Sequence, residues 1–251
     1  MQLSSRHALF LSQIACHLGS VYWLLHSPTL KEFMFIFGMY FLMGCFGMSC
    51  TYHRLLTHQS YKTSMLFEVV GTFLGSIGLV GSSLAWTSAH QQHHQFTEKK
   101  NDPHSPTVMG FLKSQWLSMF SDISLRRNPL LTSRFHLRMH QYYFLINFLW
   151  SVCLITLFGF RSCLVFHLVP AAILWNAGSF INTFCHMNLF GHRAFQTNDL
   201  SRNNFFLGLF VWGEGWHNNH HFSPKEPSFG RKKFELDISY FFIKIFRQEK
   251  Y

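Results

Sequence analysis

The sequence predicts an all-α membrane protein in which four transmembrane helices carry a cytosolic helical cap. Three observations predict it. Hydrophobic residues make up 48% of the 251 and charged residues only 13%, about half the charged share of a soluble domain. Apolar runs of near-membrane length recur along the chain. Three histidine clusters, His53-Arg-Leu-Leu-Thr-His58, His90-Gln-Gln-His93-His94 and His217-Asn-Asn-His220-His221, are set among those runs.

The first apolar run, residues 8–25, is short but near the ~20 residues that cross hydrocarbon. No convincing cleavage site follows it, so it is expected to be retained. The second, 33–52, is dense in Phe and Leu over 33–46 and leads directly into the first cluster. Residues 65–86 are of similar length but contain Glu68, four glycines and several serines. If they crossed the bilayer, the first two clusters would face opposite compartments. The segment is therefore expected as a helix lying in the interface or packed on the protein. Runs 144–160 and 164–185 complete four spans and leave all three clusters, with His186, on one face.

Basic residues agree independently. Nineteen of the 21 Lys and Arg fall on the histidine side, and only Lys31 and Arg161 fall in the outer loops. The positive-inside rule makes that side cytoplasmic, with both termini, in a bacterial inner membrane or the endoplasmic reticulum. The net charge of +10 lies beside the spans, which favours anionic lipid headgroups over nucleic acid. The six cysteines sit mostly inside apolar runs with no CxxC pair, as free thiols do. With no repeat, linker or second soluble unit, residues 1–251 read as a single membrane domain.

The spacings carry the chemistry. His90, His93 and His94 fall at i, i+3 and i+4, one face of a helix, and His217, His220 and His221 repeat the pattern. His53 and His58 lie about 140° apart on a straight α-helix, so they meet one site only if the helix bends or ends, or if the site is wider than one metal. Imidazole nitrogens suit iron, zinc, copper or nickel. More ligands than the four usual for zinc make two metals the economical reading. A zinc protease is disfavoured, because Gln91 and Asn218 stand where HExxH needs Glu. Of the other histidines, His7, His17, His26, His136, His140, His167 and His192 are scattered and read as ordinary hydrogen-bonding groups. His104, in Asp102-Pro103-His104, is placed to support the second cluster.

These motifs, in this order, resemble the integral-membrane fatty acid desaturases of the Δ9 acyl-CoA/acyl-lipid type. The resemblance rests on Tyr52-His-Arg-Leu-Leu-Thr-His58, HxxHH at 90–94, Asn101-Asp-Pro-His-Ser-Pro106, Asn182 with Cys185-His186, Ser201-Arg-Asn-Asn204, Gly213-Glu-Gly-Trp-His-Asn-Asn-His-His221 and Phe234-Glu-Leu-Asp237, spanning about 33–245. It implies a di-iron centre with nine histidine ligands: His53, His58, His90, His93, His94, His186, His217, His220 and His221. It also implies that Asn182 holds a metal-bound water. The activity implied is O₂-dependent insertion of a cis double bond into a saturated acyl chain, with no separate acid or base residue. Reducing equivalents would come from a separate donor such as a ferredoxin or cytochrome b5. Asp102, His104 and Glu214 are expected to support the ligands, and Gly71, Gly75, Trp86 and Phe180 to line a substrate tunnel.

Five positions depart from the family pattern. Ser88-Ala89 stands where animal acyl-CoA desaturases carry Arg-Asp for the CoA headgroup, which favours an acyl-lipid substrate. Ser179 replaces a tryptophan, Thr51 a glycine, and Gln91 a frequent arginine. A related di-iron hydroxylase is the neighbouring alternative. A histidine-rich metal transporter is a more distant one, and would place its ligands at the membrane midplane.

Overall fold

The computed structural model describes residues 3–125 and 132–248. The chain ends, and Arg126, Arg127 and Lys250 among the basic residues that bear on topology, lie outside them. Among the described residues regular structure is helical, apart from isolated bridges such as Thr63 with Arg247.

Helix α1 (Leu3–Leu25) contains the first apolar run. A turn through Ser27 at φ 50° leads to α2 (Leu30–Phe41), started by a capping box between Thr29 and Glu32. This helix continues without a break into a π-helical segment, Leu42–Thr57. The combined helix runs 28 residues, Leu30–Thr57. That exceeds the ~20 that cross hydrocarbon, so its last turns extend past the span and carry the first histidine cluster.

Residues 65–86 are two helices rather than the single one expected. Helix α3 (Met65–Ile77) and helix α4 (Ser83–Phe96) flank a break. Leu79 and Gly81 take positive φ there, and Ser82 caps the new helix. At about 1.5 Å per residue, the 13 residues of α3 fall well short of ~30 Å of hydrocarbon. Short helices α5 (Pro106–Met109) and α6 (Phe111–Trp116) follow.

Helix α7 (Arg134–Gln141) meets α8 (Tyr143–Phe158) at a 69° bend. After Gly159, α9 (Phe160–Cys163), a π-helical turn (Leu164–Leu168) and α10 (Val169–Phe184) make one continuous helix, Phe160–Phe184. The chain ends with α11 (Phe205–Phe210), α12 (His217–Phe222) and α13 (Ile238–Phe246). Ser5–Leu25, Leu30–Thr57 and Phe160–Phe184 are long and apolar enough to cross a membrane, and the α7–α8 pair makes a bent fourth candidate. Leu18, Leu25, Met34, Phe37, Phe148 and Phe158 are exposed on these helices, as lipid-facing side chains of a membrane protein are.

At one end of the bundle, Arg161 bonds Glu32 and the carbonyls of His26 and Ser27, joining the two short turns. At the other end α7 docks on the start of α4. His140 meets the Ser82 hydroxyl, and buried His136 bridges Ser83 and Glu68. Glu68, the residue that weakened 65–86 as a span, is thus tied to α7. In the bundle interior Asn147 and His167 satisfy each other, with Ser151 and the carbonyls of Ser76 and Tyr143 completing the set. Buried polar groups at membrane depth require such pairing.

Helix α3 lies directly on the π-helical segment, and glycines permit it. A Cβ on Gly47 would stand 2.4 Å from the Gly75 backbone nitrogen, and one on Gly75 would strike the Tyr52 ring. Gly47→Ala should lower stability by about 1–3 kcal/mol through overpacking, read as a lower melting temperature in detergent. Gly38→Ala, whose Cβ meets nothing within 4 Å, should not. Equal melting of Gly47→Ala and the parent chain would contradict this packing.

Candidate metal centre

The π-helix resolves the spacing problem of the first cluster. Hydrogen bonds from i+5 to i stack residue i+5 over residue i, and the His58 amide donates to the His53 carbonyl at 3.1 Å. The two rings lie 4.9 Å apart. Thr51 and Thr57 reinforce the register, their hydroxyls donating to the Phe46 and Tyr52 carbonyls five residues back. No bend or helix end is needed before His58.

From one face of helix α4, His90 and His94 join one nitrogen group and His93 joins the other. His186 follows the end of α10, where its amide bonds the Thr183 carbonyl. Helix α12 is held by its asparagines. The Asn218 side-chain oxygen accepts from the Ala194 and Phe195 amides, and the Asn219 amide donates to Glu235 and the Phe229 carbonyl. With the asparagines anchored to the surrounding loops, His217, His220 and His221 turn inward.

The nine histidines fall into two groups. One contains His53, His58, His90, His94 and His220, the other His93, His186, His217 and His221. Within each, one nitrogen per residue lies within 4.8 Å of all the others. His94 Nε2 is 3.1 Å from His90 Nε2 and 2.9 Å from His220 Nε2. His217 Nε2 is 3.0 Å from His186 Nε2 and 3.1 Å from His221 Nε2.

The donor set fits metal ions. Carboxylates accept from the Nδ1 atoms of four of these rings: Glu214 from His53, Asp102 from His93, Glu98 from His186 and Asp199 from His221. Those contacts assign the proton to Nδ1 and leave Nε2 as a bare lone pair. His186 and His221 then both aim lone pairs at His217, which has at most one proton to give. His93 Nε2 is buried with no hydrogen-bond partner among the described residues. A metal–nitrogen bond of about 2.1 Å places adjacent ligand nitrogens roughly 3 Å apart, the spacing observed.

Of the acidic residues singled out in the sequence, Asp102 contacts His93 and Glu214 contacts His53. Glu98 and Asp199 were missed. Glu98 lies four residues beyond His94, but the helix ends at Thr97 and Glu98 takes φ 61°, swinging its carboxylate to His186. Asp199 sits in a loop with no local signal. His104 is buried, lies with its ring 4.4 Å from that of His93, and groups with His93 and Asp102.

Glu214 also reaches Arg54 and Ser49. Fully buried Arg54 grips both oxygens of Asp237 at 2.9 and 3.0 Å and stacks on Phe229. Asp237 caps α13, so the C-terminal helix is wired to a histidine of the centre. Burial pushes the Glu214 carboxyl up, but the attraction of His53 and Arg54 more than offsets this and holds it below its ordinary range.

Burial, reinforced by neighbouring imidazoles, keeps His90, His93, His217, His220 and His221 well below the usual histidine range. The same desolvation takes His94 down to about 3 and His104 to about 4. Neutral imidazole is the form that binds metal.

An apolar cavity reaches this centre. Its lining includes Gly44, Met48, Trp86, Leu174 and Gly178, and it touches His53, His90, His217 and Asn182. Trp86 is on the cavity wall, its ring stacked 5.0 Å from His90. The other expected tunnel residues are elsewhere. Gly71 packs against Thr51 and Gly75 against Tyr52, because these glycines serve helix contact. Phe180 faces a separate groove on the opposite side of α10, beside Trp23 and Tyr40. Ala89 and Ser179 line the cavity, while Ser88 is fully buried.

Fold and site together define an integral-membrane protein with a two-part polyhistidine centre against an apolar cavity. The chain belongs to the fatty acid desaturase family, whose pattern it matches over residues 32–232. It is 32% identical over 247 residues to an acyl-CoA 5-desaturase of Anemone leveillei, covering 95% of this chain and 73% of that protein. It is likewise 32% identical over 225 residues to Delta-9 acyl-lipid desaturase 1 of Arabidopsis thaliana, covering 86% and 72%. An sn-2 palmitoyl-lipid 9-desaturase of Nostoc sp. is 30% identical over 217 residues, covering 82% and 75%. The chain is therefore an oxidoreductase that desaturates acyl chains in a membrane.

The neutral imidazoles set a pH dependence. Above about pH 6.5, the ordinary histidine value, His94 is uncharged both folded and unfolded and contributes no slope. Below it the unfolded chain takes up a proton that the folded chain resists until about 3. The metal-free protein should therefore melt at progressively lower temperature as pH falls from about 6.5 toward 3. A melting temperature that stays flat or rises over that window would contradict the burial of this cluster.

Proposed function

We propose that this protein inserts one cis double bond, at the Δ9 position, into a saturated acyl chain, using O₂ and two iron ions. Nine histidines would hold the ions: His53, His58, His90, His94 and His220 around one, and His93, His186, His217 and His221 around the other. Asn182, on the cavity wall four residues before His186, would hold a metal-bound water. The observation that carries the reading is the division of nine converging imidazoles into two groups against an apolar cavity. Bound iron would supply O₂ activation for removal of two hydrogens from adjacent methylenes.

The chain's own residues do the positioning. Met48, Trp86, Leu174 and Gly178 give the cavity an apolar wall that takes up methylenes and excludes water. Glu214, Asp102, Glu98 and Asp199 fix the rings of four ligands. Ser88-Ala89 brings no charge toward a CoA headgroup, which favours an acyl-lipid substrate. Relatives named for Delta-9 acyl-lipid and palmitoyl-lipid 9-desaturation support the substrate class and bond position. The electron donor would be a separate protein of ferredoxin or cytochrome b5 type, acting on the cytoplasmic side where the histidines and both termini lie.

Expression in a host lacking its own desaturase, with a competent donor, should yield cis-Δ9 monounsaturated lipids that depend on iron and O₂. His220→Ala should reduce them at least 100-fold, the scale of a lost metal site. Hydroxylated chains in place of alkenes would instead identify the related hydroxylase, and an active His220→Ala would sink the ligand assignment.

A further inference from the structure

We infer that the two metal positions are inequivalent, and that the four-histidine position binds its ion more tightly and fills first, because Glu98, Asp102 and Asp199 stand behind its ligands. This rests on the di-iron reading above.

Three of its four histidines donate Nδ1–H to a carboxylate. His93 bonds Asp102 at 2.9 Å, His221 bonds Asp199 at 3.0 Å and His186 bonds Glu98 at 3.1 Å. Each carboxylate is also held by a backbone amide, from Leu200 to Glu98, from Glu98 to Asp102 and from Ser201 to Asp199. They are fixed as acceptors. Among the described residues none of the three forms an ion pair with Lys or Arg. Their charge is therefore directed at the imidazoles and, through them, at the ion.

The five-histidine position is backed differently. Of its ligands, His53 alone has a carboxylate partner among the described residues, and that partner, Glu214, is shared with the Arg54 guanidinium at 3.3 Å. Arg54 is shared in turn with Asp237. His220 Nδ1, like His217 Nδ1 in the other group, is buried with no hydrogen-bond partner among the described residues.

A carboxylate that accepts the outer N–H of a ligating histidine raises the basicity of the inner nitrogen, and losing such a partner costs roughly 10–100-fold in metal affinity. The fifth imidazole favours the other position by one additional donor. Three uncompensated carboxylates against one shared with a cation outweigh it.

Anaerobic titration of the metal-free, full-length protein in detergent with ⁵⁷Fe(II), followed by Mössbauer spectroscopy, tests this. The first equivalent should give one quadrupole doublet and the second equivalent another. His186→Ala should remove the first-appearing doublet and His58→Ala the second. Asp199→Asn and Glu98→Gln should each weaken the first-filling position by roughly 10–100-fold, so that both doublets grow from the first equivalent. Glu214→Gln should preserve the wild-type order.

Two doublets growing together in the wild type would overturn the inference while leaving the di-iron reading intact. A first doublet that is lost in His58→Ala but kept in His186→Ala would overturn it too. Uptake of fewer than two ions per chain would remove the di-iron reading itself. The wild-type filling order bears on the inference directly, so it does not depend on any variant folding.

Discussion

Everything in this molecule answers to one electrostatic constraint: bare imidazole lone pairs face one another about 3 Å apart in a buried pocket. His186 and His221 both point at His217, and His94 lies between His90 and His220. Neutral nitrogens so arranged repel unless positive charge sits among them. A protein that holds them there must supply rigid support from several directions, and the helices provide it.

Each group of ligands arrives on a helix whose geometry is locally adjusted. The π-helical segment brings His53 and His58 onto one face, where an α-helix would separate them. The break at residues 78–82 lets α4 start afresh, capped by Ser82 and clasped by α7 through His136 and His140. Close contact of Gly47 and Gly75 fixes α3 against the π-helix. Anchored Asn218 and Asn219 leave the histidines of α12 as its inward face. The Asp237–Arg54–Glu214 chain then ties α13 to His53. These supports lie at one end of the bundle, where the apolar cavity also reaches the histidines.

Much of this was legible in the sequence. The apolar runs mark the helices, and the demand that three histidine clusters share a face argues against 65–86 as a span. HxxHH spacing gives one-faced presentation directly. The π-helix was not legible, because no short-range signal distinguishes i+5 bonding, although the five-residue separation of His53 and His58 posed the problem it solves. Glu98 and Asp199 escaped because their partners, His186 and His221, are 88 and 22 residues away. Gly71 and Gly75 were misplaced for a related reason. A glycine signals close approach of something, and here the close neighbours are Thr51 and Tyr52 rather than a substrate.

The proposed centre holds two iron ions among nine imidazoles with no carboxylate ligand, the acidic groups being held one residue further out. Iron K-edge X-ray absorption of the iron-loaded protein tests it most directly. Two irons per chain are expected, each with a shell dominated by nitrogen and carrying the multiple-scattering pattern of imidazole. A spectrum dominated by carboxylate oxygens, or a single iron per chain, would contradict it.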